Sequence, residues 1–221
     1  MQRFLVLFSV LSLTFAACGG SDKKSKDAND AEQKTSMQKI EAISTDLQTG
    51  VDALMQPIND TQAVIDEITA LPAKLNLDAK SLLSMASATM SSGEVSISAD
   101  LNLDAKAKAE IEAILGKLKG IVEGLKATPE HVKLLLAKAT SATAEVPVLA
   151  TAVTSEANLT LSNPLASSDD KTKAQADIGA VANVQSSVQA KIQEVQQTLG
   201  SIPAMATEAL AKLTASFAGG V

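Results

Sequence analysis

The side chains equipped to act as acids, bases, nucleophiles or metal ligands are few and scattered. His131 is the one histidine and Cys18 the one cysteine in 221 residues. Placed just after Thr128 and Pro129, His131 is predicted in the first turn of a helix, where the dipole favours the neutral imidazole of a base or metal ligand. No second histidine or free cysteine can join it, so a solvent-facing helical position is expected. A Ser-His-Asp triad would have to use this histidine, and no GxSxG-type turn supplies a nucleophile. The acidic pairs are Asp66 with Glu67 and Asp169 with Asp170. Glycoside hydrolysis uses two carboxylates flanking a bond, but the aromatic platforms of sugar sites are missing. Asp169 and Asp170 are instead expected at a helix N-terminus, where negative charge is favourable. Asp27, Asn29, Asp30 and Glu32 lack the glycine and terminal glutamate of a calcium loop. No catalytic, cofactor-binding or metal-binding residue is therefore expected, and the chain is not expected to be an enzyme.

The N-terminus has a different character. A single positive charge at Arg3 precedes an apolar run from Phe4 to Phe15, the layout of a secretory signal segment. That run falls short of the roughly 20 apolar residues needed to span a bilayer. It ends in Phe15, Ala16, Ala17 and Cys18, followed by Gly19. This stretch resembles the lipobox of bacterial lipoproteins, with Phe15 where leucine is usual. The resemblance covers about the first 20 residues, and it implies cleavage between Ala17 and Cys18. It further implies lipidation of Cys18 on its sulfur and amine, anchoring the protein to the membrane. Gly19 stands where an aspartate would mark inner-membrane retention in that family, so the resemblance favours the outer membrane.

Composition limits what the remainder can do. Without residues 1–17, 18 Lys and no Arg face 25 acidic residues, a formal charge of −7, and Phe217 is the one aromatic residue left. Nucleic-acid binding draws on excess cations and stacking platforms, so no nucleic-acid partner is expected. Tight protein interfaces often use Trp, Tyr and Arg anchors; an envelope partner, if present, would be held by aliphatic packing. With its one cysteine acylated, the chain would have no disulfide to rely on, even in an oxidising envelope. Buried aliphatic side chains must supply the stability.

Residues 18–35 are Gly-, Ser-, Asp- and Lys-rich and are expected to form the lipidated cysteine and a disordered tether, roughly 20 to 25 Å in root-mean-square span. From Ser36 a stripe recurs at alternating steps of three and four, at Met37, Ile40, Ser44, Leu47, Val51, Leu54, Ile58, Thr61, Ile65 and Ile68, with only Ser44 and Thr61 polar, the mark of a helix with one buried face. Pro57 predicts a kink or break, and Leu71 with Pro72 an end. The hexapeptide LNLDAK occurs at 75–80 and again at 101–106. In each copy the leucines suit a short strand and the aspartate a helix N-cap. Residues 79–90 read as a helix, broken by Ser91 to Gly93. Strict alternation at Val95, Ile97, Ala99, Leu101 and Leu103 predicts a half-buried strand. A similar pattern at 156–161 would pair with it.

Two strong periodic stretches follow. Ala107, Ile111, Ile114, Leu118, Ile121 and Leu125 mark one helix. Thr128 and Pro129 are expected to start another, carrying Val132, Leu135, Leu136 and Ala139, with a kink at Pro147 before Leu149 and Val153. Ala174, Ile178, Val181, Val188, Ile192, Val195 and Leu199 mark a long helix ended by Gly200, and a short last helix carries Met205, Leu210, Leu213 and Phe217. The expected fold is mainly α: an elongated antiparallel helical bundle at 36–217 with a small two-stranded β element and a frayed 218–221. The expected role is a non-enzymatic, lipid-anchored envelope protein whose helices form a structural or protein-interaction module. The alternatives are a membrane-active, pore-forming or remodelling protein using 81–103 as a β tongue, or a carrier of an apolar ligand.

Overall fold

The computed structural model describes residues 35–97 and 103–218. Four helices follow in chain order: α1 (Ser36–Leu75), α2 (Ala79–Ser92), α3 (Ala105–Ser162) and α4 (Ser168–Phe217). At 1.5 Å per residue they are roughly 60, 20, 85 and 75 Å long.

Each start is written locally. Thr35 accepts from the Gln38 amide while the Gln38 side chain accepts from the Thr35 amide, a reciprocal capping box. The two LNLDAK copies place Asp78 and Asp104 as the N-caps of α2 and α3, accepting from the amides of Ser81 and Ala107. Ser167 and Asp170 form a second capping box at α4.

Direction is visible in the pairs between helices. Lys74 meets Glu110, Lys117 meets Glu67 and Lys138 meets Asp46, so α1 and α3 run antiparallel. After the short turn at 163–167, α4 returns alongside α3 and parallel to α1. The C-terminal end of α1, the first half of α3 and the C-terminal end of α4 enclose one core, which includes Ile68, Leu71, Leu115, Leu118, Leu213 and Phe217. There α2 adds a fourth wall through Leu82, Met85 and Ala86. Further along, α1, α3 and α4 alone enclose a second core that includes Ile40, Leu47, Val146, Ile192, Leu199 and Ile202.

The change from four helices to three happens where α2 ends. Lys126 of α3 donates to the Met90 carbonyl at 3.4 Å, satisfying a free carbonyl near the negative end of the α2 dipole. At that level α1 and α3 close together across small residues. A Cβ on Gly124 would stand 2.8 Å from the Pro57 ring, and one on Gly50 would stand 2.8 Å from Leu135 Cδ1.

Several expectations are corrected. Residues 156–161 belong to α3, and 94–97 form no strand; with 98–102 outside the described residues, no β pair is found among those described. Ala157 continues the buried seam of α3 from Val153, which fixes 156–161 as helix whatever its alternation suggests. Val95, Ile97 and Leu103 instead lie half-buried against the four-helix core. Prolines do not end these helices. Pro57 and Pro72 lie inside α1, Pro129 and Pro147 inside α3, and Pro203 inside α4. α1 therefore ends at Leu75 rather than Leu71, where Asn76 turns left-handed at φ 52° and donates to the Pro72 carbonyl. Thr128 and Pro129 start no new helix, and Gly200 stops none. The seam explains this: it runs Leu125, Thr128, Val132 past Pro129, and Leu199, Ile202, Ala206 past Gly200, all buried.

Candidate functional site

His131 lies some 26 residues into α3 and is exposed. The first-turn position expected from Thr128 and Pro129 is thereby corrected, and with it the dipole argument for a neutral base. Asp66 and Glu67 point to different partners. Asp66 accepts from the Gln62 side chain at 2.7 Å, and Glu67 receives Lys117 at 2.8 and 3.0 Å across to α3. They make no carboxylate pair facing a common point. Asp169 and Asp170 occupy the first turn of α4 as expected. Hydrogen bonds from the Ser167 hydroxyl and backbone amide hold the Asp170 carboxyl below its ordinary value, and the Ser81 amide and hydroxyl do the same for Asp78. Both shifts arise from capping.

Hydroxyls are equally committed. Thr49, Thr89, Thr128, Thr151 and Thr198 each donate to the carbonyl four residues back at 2.9 to 3.0 Å. No His, Cys, Asp or Glu cluster able to hold a metal ion occurs among the described residues, and no buried side-chain nitrogen or oxygen is left without a partner there. Cys18, Ala17, Asp27, Asn29, Asp30 and Glu32 lie outside the described residues.

What the helical body offers is surface relief. One groove between α1 and α4 is lined by Ser44, Thr45, Gln48, Val188 and Lys191. A second, between α1 and α3, runs past Pro57, Val64, Gly120 and Ile121, deepened by a glycine whose missing side chain faces open space. A third lies at the end where α1 begins, between Thr35, Met37, Ala157, Leu165 and Ala174. All three are furrows between helices that open to solvent. No described helix is long and apolar enough to cross a membrane.

The sequence reading missed two features. Leu159 and Leu165 are 72% and 91% exposed, although Leu159 was expected on a half-buried strand. Leu136 is likewise 42% exposed, while Ala139, Ala142, Val146 and Ala150 carry the seam. An unbroken three-four register continued from Val132 would have identified both as off-seam positions. The close passages at Gly50 and Gly124 had a fainter signal, a glycine next to a seam residue inside a strong helical pattern. Comparison of the chain with protein-family models, with curated proteins and with solved structures finds no match.

Proposed function

We propose that this is a lipid-anchored, non-enzymatic protein of the bacterial cell envelope, held at the outer membrane through Cys18, whose helical body is a structural or protein-interaction module. The observation that carries the reading is the run Phe15, Ala16, Ala17, Cys18 behind a short apolar segment with one positive charge. Its physical consequence is durable attachment, because one acyl chain binds a bilayer marginally and two or more bind it stably. Among the described residues, the helical body opens on its own capping box at Thr35, and the buried residues of both cores lie within 40–217. Open aliphatic and polar grooves between long helices suit a partner helix or extended segment laid along them.

Two measurements on cells test this. Metabolic labelling with an alkyne fatty acid should mark the wild-type protein and leave Cys18→Ser unlabelled and released from the membrane fraction. Equal labelling of both forms, or none of either, would remove the anchor from the reading. Crosslinking in native membranes followed by mass spectrometry should enrich an envelope protein with the wild type and not with Cys18→Ser. Recovery of copurifying lipid without protein would replace the interaction module with the carrier.

A further inference from the structure

The most exposed large apolar side chains among the described residues stand together at one end of the bundle. Leu165 in the α3–α4 turn is 91% exposed and Leu159 in the last turn of α3 is 72% exposed. From Ala157 to Ser168 the chain carries no charged residue. Single exposed leucines are ordinary on a soluble surface, but a charge-free cluster at a tip asks for a partner.

The exposure is built into the turn. Asn163 donates its amide to the carbonyls of Leu159 and Thr160 at 3.1 and 3.3 Å. Its side-chain oxygen accepts from the Leu165 amide at 2.9 Å, and its carbonyl accepts from Ala166 at 3.3 Å. Pro164 fixes its own φ between them. These bonds hold Leu165 outward on a closed turn.

The same end receives the chain from its N-terminal side. Ser36, the first residue of α1, donates to the Glu156 carboxylate, one position before the uncharged stretch. The groove at this end joins Thr35 and Met37 to Leu165 and Ala166. Leu165 and the start of α1 thus share this groove, and Leu159 stands in the adjoining last turn of α3. Seventeen residues separate Cys18 from Ser36, which at full extension reach at most about 60 Å.

We propose that the α3–α4 turn is a second membrane contact, in which Leu159 and Leu165 enter the interfacial region of the bilayer that holds the Cys18 lipid. The proposal rests on the anchored reading above. A body tethered within about 60 Å of a surface meets it at an effective concentration in the millimolar range, so a partition too weak to bind a free protein still sets its orientation. The charges next to the tip do not oppose this as a block, since Asp169 and Asp170 are followed by Lys171 and Lys173. A second copy is the less fitting occupant, because two leucines cover far less than the roughly 800 Å² per partner of a stable interface. Anchored at Cys18 and resting on the turn, the body would hold its long axis away from the membrane and present the grooves at a set height.

The chain contains no tryptophan, so one introduced at the tip is the sole indole. The protein from residue 18 onward, which keeps every core residue, is coupled through the Cys18 thiol to maleimide lipid in phosphatidylethanolamine–phosphatidylglycerol vesicles carrying brominated acyl chains. Leu165→Trp is compared with Leu134→Trp, a position 51% exposed but several turns away along α3. The expected result is a blue shift and quenching by more than about twofold at position 165, with position 134 unquenched, and loss of the effect when Leu159→Ser is added. Equal response at the two positions, or none at 165, overturns the proposal. So does a blue shift at 165 that grows with protein concentration without vesicles, which would assign the tip to a second copy. Because the coupling is chemical, this outcome does not depend on whether cells acylate Cys18, which the labelling experiment decides separately.

Discussion

Asp78, Asp104 and Asp170 show how the acidic excess is spent in this chain. Each lies at or within the first turn of a helix and accepts from amides that have no partner inside it. Capping bonds lower the carboxyl pKa of Asp78 and Asp170, and a depressed folded value has a definite sign. The stabilisation is fully present above the unfolded aspartate value, near 3.9, and is lost as pH falls through the folded value. Asp170→Asn should therefore weaken the protein at pH 7 and make less difference at pH 3, below the unfolded aspartate value, where that stabilisation is being lost. Urea denaturation of both forms at the two pH values measures this. An unchanged gap between them would mean that the charge contributes nothing to the cap.

At the scale of the element, continuity is the feature to explain. Five prolines sit inside helices, each removing a hydrogen bond at a cost of about 3 kcal/mol. Keeping a helix whole past a proline preserves several seam residues on the buried side, each contributing roughly 1.5 to 3 kcal/mol. Beyond Pro129 these include Val132, Val146 and Val153, so the seam prevails. Glycines in these helices divide by what faces them. Gly200 meets nothing within 4 Å, whereas a Cβ at Gly124 would press on the Pro57 ring at 2.8 Å, and a proline ring cannot swing aside. Gly200→Ala should stabilise the protein by about 0.5 to 1 kcal/mol through helix propensity. Gly124→Ala should destabilise it by about 1 to 3 kcal/mol through overpacking. Chemical denaturation of the pair tests the close passage of α1 and α3, and a gain from both substitutions would show that the helices can part there freely.

Across the helical body, stability is expected to be uneven. α1, α3 and α4 share long seams, whereas α2 is a single helix of 14 residues contributing four buried side chains. It is bracketed by Asn76 and Gly93, the positive-φ residues of the described chain. The element with least buried surface and a left-handed residue at each end should open first. Hydrogen exchange followed by mass spectrometry should find amides of Ala79–Ser92 protected at least about 100-fold less than those at the centre of α4. Equal protection would mean that the body unfolds as one unit and that α2 is integral to it. The exposed leucines belong to this scale as well, because their meaning comes from sharing an end with the start of α1.

Much of the fold was legible in the residues alone. The three-four seams named most of the buried positions of α1 and α4, and Asp78, Asp104, Asp169 and Asp170 marked helix starts, because amphipathic period and capping are local properties. At the candidate site, the exposed helical position of His131 was also legible, whereas the separate partners of Asp66 and Glu67 were not. Local signals failed where a long-range one outweighed them. Pro129 and Gly200 carry breaking signals of about 3 and about 1 kcal/mol, and the leucine alternation at 159 and 161 resembles a strand. The packing of α3 against α1 and α4 decides all three, since it buries the seam on either side of each. Only the tertiary arrangement could bring Gly124 against Pro57, close the bundle from four helices to three at the end of α2, and set Leu159 and Leu165 beside the entry of the chain. Those relations join residues far apart in sequence, and their energies exist only once the helices are packed.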